Sequence, residues 1–405
     1  MVLEAEQKKS KFFGHNIIYY VSQLIIAVAL FAACCRLFYR QAVGYPGPWG
    51  NYISDLQLHI GFGLDGTGYS ALYKVIGIFA RHFGNEGVAA FESAMVVLTW
   101  YFAGKLIEKI SGFRSIISLY ASLGTIFLAN IHLTNIFNFY YVERFVSQPW
   151  HNITYIGMRL FAVLTIYYFI DFYRNYLNRI SWKSYILVTL FLFISASIKA
   201  NFFVSLSASL LVALIIDFAG DRARIENLKK YFIAGSMVFP SCAVLYLQAR
   251  ILYPSGIASG DASAAGITLV WFADFFHFGA WNGILKIFLG ISFPIIVFIM
   301  NKGGGRNFRF IGLFFLVSFF IAYVFKETGE RAEHGNFYWG IMCASYILFL
   351  YSFSWFMKNW QEKFPKNKIA SFVYKVVCII IFSANVCSGF LYFNIILLTG
   401  CNYLI

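Results

Sequence analysis

The sequence predicts an all-α fold, a polytopic transmembrane helical bundle of about eleven spans, and three observations carry that prediction. Hydrophobic residues fill 60% of the 405 positions and charged residues only 12%, too apolar a balance for a water-soluble domain. Apolar runs of membrane-spanning length recur from end to end. Lys and Arg gather in alternate polar connections, as the positive-inside bias requires. Residues 1–405 therefore read as a single integral membrane domain, with no internal repeat, low-complexity tract or separate soluble unit.

Taken in order, spans are expected at about Ile17–Tyr39, Ala89–Gly104, Ser115–Phe139, Thr154–Tyr173, Tyr185–Ile198, Phe202–Asp217, Tyr231–Tyr253, Ile284–Met300, Phe310–Phe325, Trp339–Phe356 and Phe372–Leu398. The first apolar run lacks a small-residue cleavage site and is read as a retained span. The halves on either side of Lys199 are short enough to form a broken hairpin. Between the first two spans, Tyr69–Phe83 carries Leu72, Val75, Ile76, Phe79 and Phe83 on one helical face and Lys74, Arg81 and His82 on another, the pattern of an interfacial helix.

Basic residues mark one set of connections: the N-terminal tail (Lys8, Lys9, Lys11) and the groups at 105–114, 174–183, 222–230, 302–309 and 358–368, together well over half of the 32 Lys and Arg. That bias places these six connections and the N-terminus in the cytoplasm of an inner or plasma membrane. It also explains the net charge of +14 without nucleic acid, for which no basic patch on a recognisable fold is present. The other connections, at 40–88, 140–153, 254–283 and 326–338, then lie outside and hold half of the 18 acids. Function is expected there. Trp49, Trp150, Trp271, Trp281 and Trp339 near the outer boundaries read chiefly as an aromatic belt. The seven cysteines all lie in apolar segments without paired spacing, and read as small core residues.

The first outer connection is the most informative stretch. Asn51–Ser70 holds Asp55, His59 and Asp65 close together, followed by Gly61, Gly63, Gly66 and Gly68, where backbone can approach a ligand. Asp55 is positioned as a general base, its pKa raised if the site is partly desolvated; the plainer readings are a solvated loop acid or a helix N-cap. His59, four residues on, either orients Asp55 or lies at the interface. In Gln148–Ala162, His151 stands at an outer helix start, and Arg159 lies inside a span, where it either snorkels or faces a lipid phosphate. Lys199 is an ionisable residue between short apolar segments, suited to a phosphate headgroup or to capping the carbonyls of a broken helix. Lys326–Gly340 concentrates charge: Glu330, Arg331 and His334 fit an acceptor or phosphate clamp, or a solvated face. No HxxxH or HExxH spacing occurs, so no metal centre and no cofactor are expected, with a divalent ion left open.

With these residues in view, the chain resembles the GT-C superfamily of membrane glycosyltransferases. The likeness rests on a first span followed by a long outer loop bearing Asp55, the interfacial helix Tyr69–Phe83 directly after it, a bundle with outer polar loops, and Lys199 between short spans. It implies Asp55 as the catalytic carboxylate and Lys199, Arg159 and Arg331 as contacts to a lipid phosphate. The acidic pair of many members is missing, since the next acid after Asp55 is Asp65. The C-terminal extracytoplasmic domain of larger members is not expected after the last span. The function so implied is transfer of a sugar from a polyprenyl-phosphate-linked donor to a cell-surface glycan or lipid-linked acceptor on the extracytoplasmic face. Two other functions compete: an O-antigen or capsular polysaccharide polymerase using outer arginines, and a lipid or anion transporter or flippase lined by Lys199 and Arg159.

Overall fold

In the computed structural model the chain is overwhelmingly helical, and the structure describes residues 2–47, 50–52, 54–112, 114–132, 149–253, 265–272, 280–331, 335–362 and 364–399. Helix α1 (Val2–Val43) leads through a small hairpin, β1 (Tyr45–Gly47) and β2 (Gly50–Tyr52), to α2 (Asp55–Asp65), α3 (Ala71–Ser111) and α4 (Ile116–Ile126). Then come α5 (Ile153–Asn175), α6 (Trp182–Ile198), α7 (Asn201–Gly220), α8 (Leu228–Ser236) and α9 (Phe239–Leu252). The last part runs β3 (Ile267–Leu269), α10 (Ala280–Met300), α11 (Arg306–Val324), β4 (Phe325–Glu327), α12 (Tyr338–Gln361) and α13 (Lys368–Thr399). Among the described residues nine helices are long and apolar enough to cross a membrane, α8 and α9 counting together, and α4 and α6 are shorter apolar helices. The protein is thus a multi-pass helical membrane protein.

Helices α5 and α12 form the centre, buried along most of their lengths. Helix α1 packs along α3, α6 along α5, and α11 along α12. The six basic connections of the sequence converge on one end of the bundle where they are described. Lys109 pairs with Asp171 at 2.6 Å, Arg306 pairs with Asp217, Lys230 bonds the Leu177 carbonyl, and Arg114 lies 4.0 Å over the ring of Tyr19. Asp55 and Lys199 lie at the opposite end, which the charge bias assigns to the outside.

Three expectations need correction. The segment Ser115–Phe139 is not one span through its described part: α4 ends at Ile126, and the chain to His132 is irregular. Its backbone bonds to other elements instead. Asn385 of α13 donates to the Ala129 carbonyl at 2.7 Å and accepts from the Ala129 N–H through its own carbonyl at 3.2 Å. Ile131 N–H reaches Leu289 O, and Ser388 Oγ accepts from His132 N–H at 2.9 Å. Irregular backbone inside a bundle survives only with such partners.

The span expected from Ala89 is the longer arm of α3, which starts at Ala71 and breaks at Gly84 (φ 63°, ψ −159°), a conformation open in practice only to glycine. In the arm before the break Leu72, Tyr73 and Ile76 are buried, while Val75, Ile78 and Phe83 are exposed beside Lys74, Arg81 and His82. This differs from the single apolar face drawn from the sequence.

The belt reading fails for two tryptophans. Trp150 is fully buried, 4.7 Å from the ring of Phe393, and Trp339 is 9% exposed. Trp182 and Trp360 are exposed, as belt residues would be.

Among the described glycines the closest approach lies at Gly389, where an added Cβ would stand 1.5 Å from Phe127 O. Gly389→Ala is therefore expected to destabilise the protein by about 1–3 kcal/mol, the usual cost of overpacking. Thermal unfolding of the purified variant in detergent checks this.

Candidate functional site

The site is assembled at the break between α6 and α7. Backbone carbonyls at the end of α6 are taken by neighbours: Ile198 O accepts from Ser70 Oγ at 2.7 Å, and Ala196 O and Ser197 O accept from Gln248 Nε2 at 3.0 and 3.2 Å. Lys199 therefore does not cap these carbonyls. Its side chain, in a residue only 3% exposed, donates to Thr154 Oγ1 at 3.3 Å and lies 4.7 Å over the ring of Trp339. Thr154 in turn donates to Asn152 Oδ1, the N-cap of α5.

Asp55 reaches the same place from α2. Ser54 is the N-cap of that helix, in a reciprocal capping box with Gln57, and its hydroxyl donates to Gln41 O. Asp55, the first helical residue, is thereby released from capping. It is neither a solvated loop acid nor an N-cap: its side chain is 31% exposed, and Oδ2 is buried without a hydrogen-bond partner. Of the glycines behind it, Gly63 packs one helix on another, while Gly61 and Gly66 have open space around them. A Cβ at Gly63 would stand 2.2 Å from Tyr73 O, and one at Gly77 2.3 Å from Gly63 O, so α2 lies directly on α3. Asp65, at the far end of α2, is exposed and roughly 15 Å along the helix from Asp55. The sequence's grouping of the two acids does not survive.

His59 Nε2 stands 3.7 Å from Asp55 Oδ1, beyond hydrogen-bonding distance, and its ring stacks on Tyr73 at 4.6 Å. Burial, aided by the Lys199 charge, lowers the His59 pKa to about 3, so its imidazole is neutral near pH 7. His151, 6.0 Å from Trp339, is lowered by the same two causes to about 4. For Asp55 burial raises the pKa to about 6, with Lys199 acting in the opposite sense. Burial pushes Lys199 down, while Asp55 and Glu327 support its charge.

Arg331 belongs to a second layer at this end. Glu327, buried at the end of β4 and paired through it with Ile267 of β3, accepts from Arg331 Nε at 2.8 Å and Tyr253 OH at 2.6 Å, and from Asn336 Nδ2. Asn201, the first residue of α7, donates to Asn336 O at 2.6 Å. Glu327 and Arg331 both act on Lys199, and Tyr69 feels Arg331, Asp55 and Glu327 together. The backbone of Glu330 lies in the turn Gly329–Arg331, while its side chain and all of His334 lie outside the described residues.

Arg159 stands apart from this cluster. It is fully buried one turn below Tyr155, 4.7 Å over the ring of Tyr346, and its charge acts on Cys34, Cys343, Tyr155 and Tyr346. Snorkelling is excluded by that burial.

Several residues of the site escaped sequence reasoning. Tyr69, Tyr73, Thr154 and Trp339 looked like ordinary apolar or belt residues, and Glu327 looked like one charge among many. Glu92 had a usable signal as the lone acid of its apolar run. It is fully buried in α3, and neither carboxylate oxygen has a hydrogen-bond partner. Among the described residues no group of three or more His, Cys, Asp or Glu side chains could hold a metal ion.

No family model matches this chain, and comparison with curated proteins gives no match. The class defined by the fold is a multi-pass helical membrane protein with a partly buried carboxylate, a buried ammonium and two neutral histidines at one end.

A stability prediction follows from the raised pKa of Asp55. Its folded-state value lies above the unfolded value of about 4, so ionisation opposes folding. That penalty is absent below the unfolded pKa and complete above about pH 6. Asp55→Asn is expected to unfold, at neutral pH, at a temperature no lower than the unsubstituted protein, by differential scanning fluorimetry in detergent. A marked loss would mean that an ion pair stabilises Asp55 overall.

Proposed function

We propose that the protein is a glycosyltransferase acting on the extracytoplasmic face, moving a sugar from a polyprenyl-phosphate-linked donor to a glycan or lipid-linked acceptor. The observation that carries the reading is the meeting of Asp55 and Lys199 at one end of the bundle, with Oδ2 of Asp55 buried and unpartnered. A buried carboxylate with a pKa near 6 is a competent general base near neutrality. A desolvated ammonium is a strong contact for phosphate.

In the proposed reaction Asp55 takes the proton of an acceptor hydroxyl as that oxygen attacks the anomeric carbon. The bond from carbon to the phosphate oxygen breaks, and Lys199 stabilises the charge that collects on the departing lipid phosphate. A single displacement of this kind inverts the anomeric centre. His59, neutral and stacked on Tyr73, keeps the ring edge beside Asp55 uncharged and leaves the carboxylate as the base. The arrangement supports the polymerase reading less well: of the two arginines it relies on, Arg159 is packed in the core and Arg331 is bound to Glu327.

The reading is tested with purified protein in nanodiscs. Asp55→Asn is expected to lower transfer about 10²–10⁴-fold while donor binding stays intact, and the pH–rate profile of the unsubstituted protein is expected to rise with a midpoint near 6. Lys199→Ala is expected to weaken binding of a polyprenyl phosphate about tenfold or more, the worth of one charge-assisted contact. Normal turnover by Asp55→Asn would move the chemistry elsewhere.

A further inference from the structure

The end of the bundle opposite Asp55 holds a cavity of about 200 Å³ that the reaction above does not use. Four helix ends enclose it: Lys109 from α3, Asp171 and Arg174 from α5, Arg306 and Asn307 at the start of α11, and Lys358 from α12. Four cations face one lining acid. Asp171 is compensated by Lys109 at 2.6 Å and by Arg174 at 3.4 Å, and Arg306 pairs with Asp217 behind the wall. Lys358 approaches Glu362 at 3.9 Å and lies 4.8 Å over the ring of Trp355.

Two further features mark the cavity as more than a solvated basic edge. Buried Nε of Arg306 and buried Oδ1 of Asn307 have no hydrogen-bond partner. Helix α11 begins here at Gly305 with no side chain capping its N-terminus, so its first amides and dipole favour an anion. Two guanidinium forks, two ammonium groups and a helix N-terminus match an anion with several oxygens better than a single carboxylate. The unpartnered Asn307 oxygen suits one protonated oxygen of the same group.

We propose that this cavity is a binding site for a phosphate group, carried by a lipid headgroup or free in the aqueous phase. It is independent of the chemistry assigned to Asp55, since it shares no side chain with that site.

The test uses the full-length protein in phosphatidylcholine nanodiscs. In one arm phosphatidic acid is added to the lipid, and its retention is read by native mass spectrometry; in the other, inorganic phosphate is added, and the shift of the unfolding temperature is titrated. Retention of the lipid identifies a headgroup site, and a saturable shift with inorganic phosphate identifies a soluble anion. In either case the Arg174→Gln, Lys358→Gln double variant is expected to bind about tenfold more weakly or worse, and Lys358→Arg to keep affinity. Should the double variant not fold, Lys358→Gln alone carries the comparison, because that side chain is 38% exposed. Undiminished binding by the substituted protein, or no binding of either probe by the unsubstituted one, overturns the proposal.

Discussion

The burial of one ammonium group, that of Lys199, constrains much of the end of this bundle where Asp55 also lies. A charge removed from water must be compensated, and the cost of an isolated one is far above that of any single packing defect. Compensation here comes from distant parts of the chain: Thr154 at the start of α5, Trp339 at the start of α12, Asp55 on α2, and Glu327 at the end of β4. The backbone around Lys199 is arranged so that its side chain is available for them. Ser70 and Gln248 satisfy the carbonyls of the broken α6 end, a task the lysine would otherwise share.

The same economy of partners governs Asp55. Ser54 and Gln57 cap α2 between themselves, and the glycines at 63 and 77 let α2 lie on α3 without intervening side chains. Burial then raises the carboxyl pKa, while Lys199 draws it part of the way back. The two groups adjust each other, and the neighbouring histidines are held neutral by burial, with the same positive charge adding to it. A carboxylate, a cation and uncharged imidazoles in one partly desolvated place are what separates this end from the ion pairs of the opposite end.

Much of the architecture was legible in composition, because spans such as Ile153–Asn175 and Tyr338–Gln361 are set by the thickness of apolar sequence that a bilayer demands. Irregular backbone at membrane depth was not. Residues 127–132 continue a largely apolar run that is broken by Asn130 and His132, and the contacts of Asn385, Ser388 and the small Gly389 on α13 reveal why they leave the helix. Asp55 and Lys199 were found by scarcity and position. Arg159 was found the same way, yet it lies in the core against Tyr346, since sequence depth does not say which neighbours a side chain meets. Glu327 was hidden among the charges of its loop until its pairing with β3 placed it beside Tyr253, Arg331 and Asn336. Gly63 was legible as special but not as a helix-packing residue, because composition does not distinguish close approach to a ligand from close approach to another helix.

The claim on which the account stands is that Asp55 and Lys199 share one electrostatic environment. Infrared difference titration of the protonated-carboxyl band, assigned by its loss in Asp55→Asn, measures this directly. The account predicts a midpoint near 6 in the unsubstituted protein and a higher one in Lys199→Met, where the opposing charge is gone. A midpoint at the ordinary aspartate value of about 4, unmoved by Lys199→Met, would contradict it.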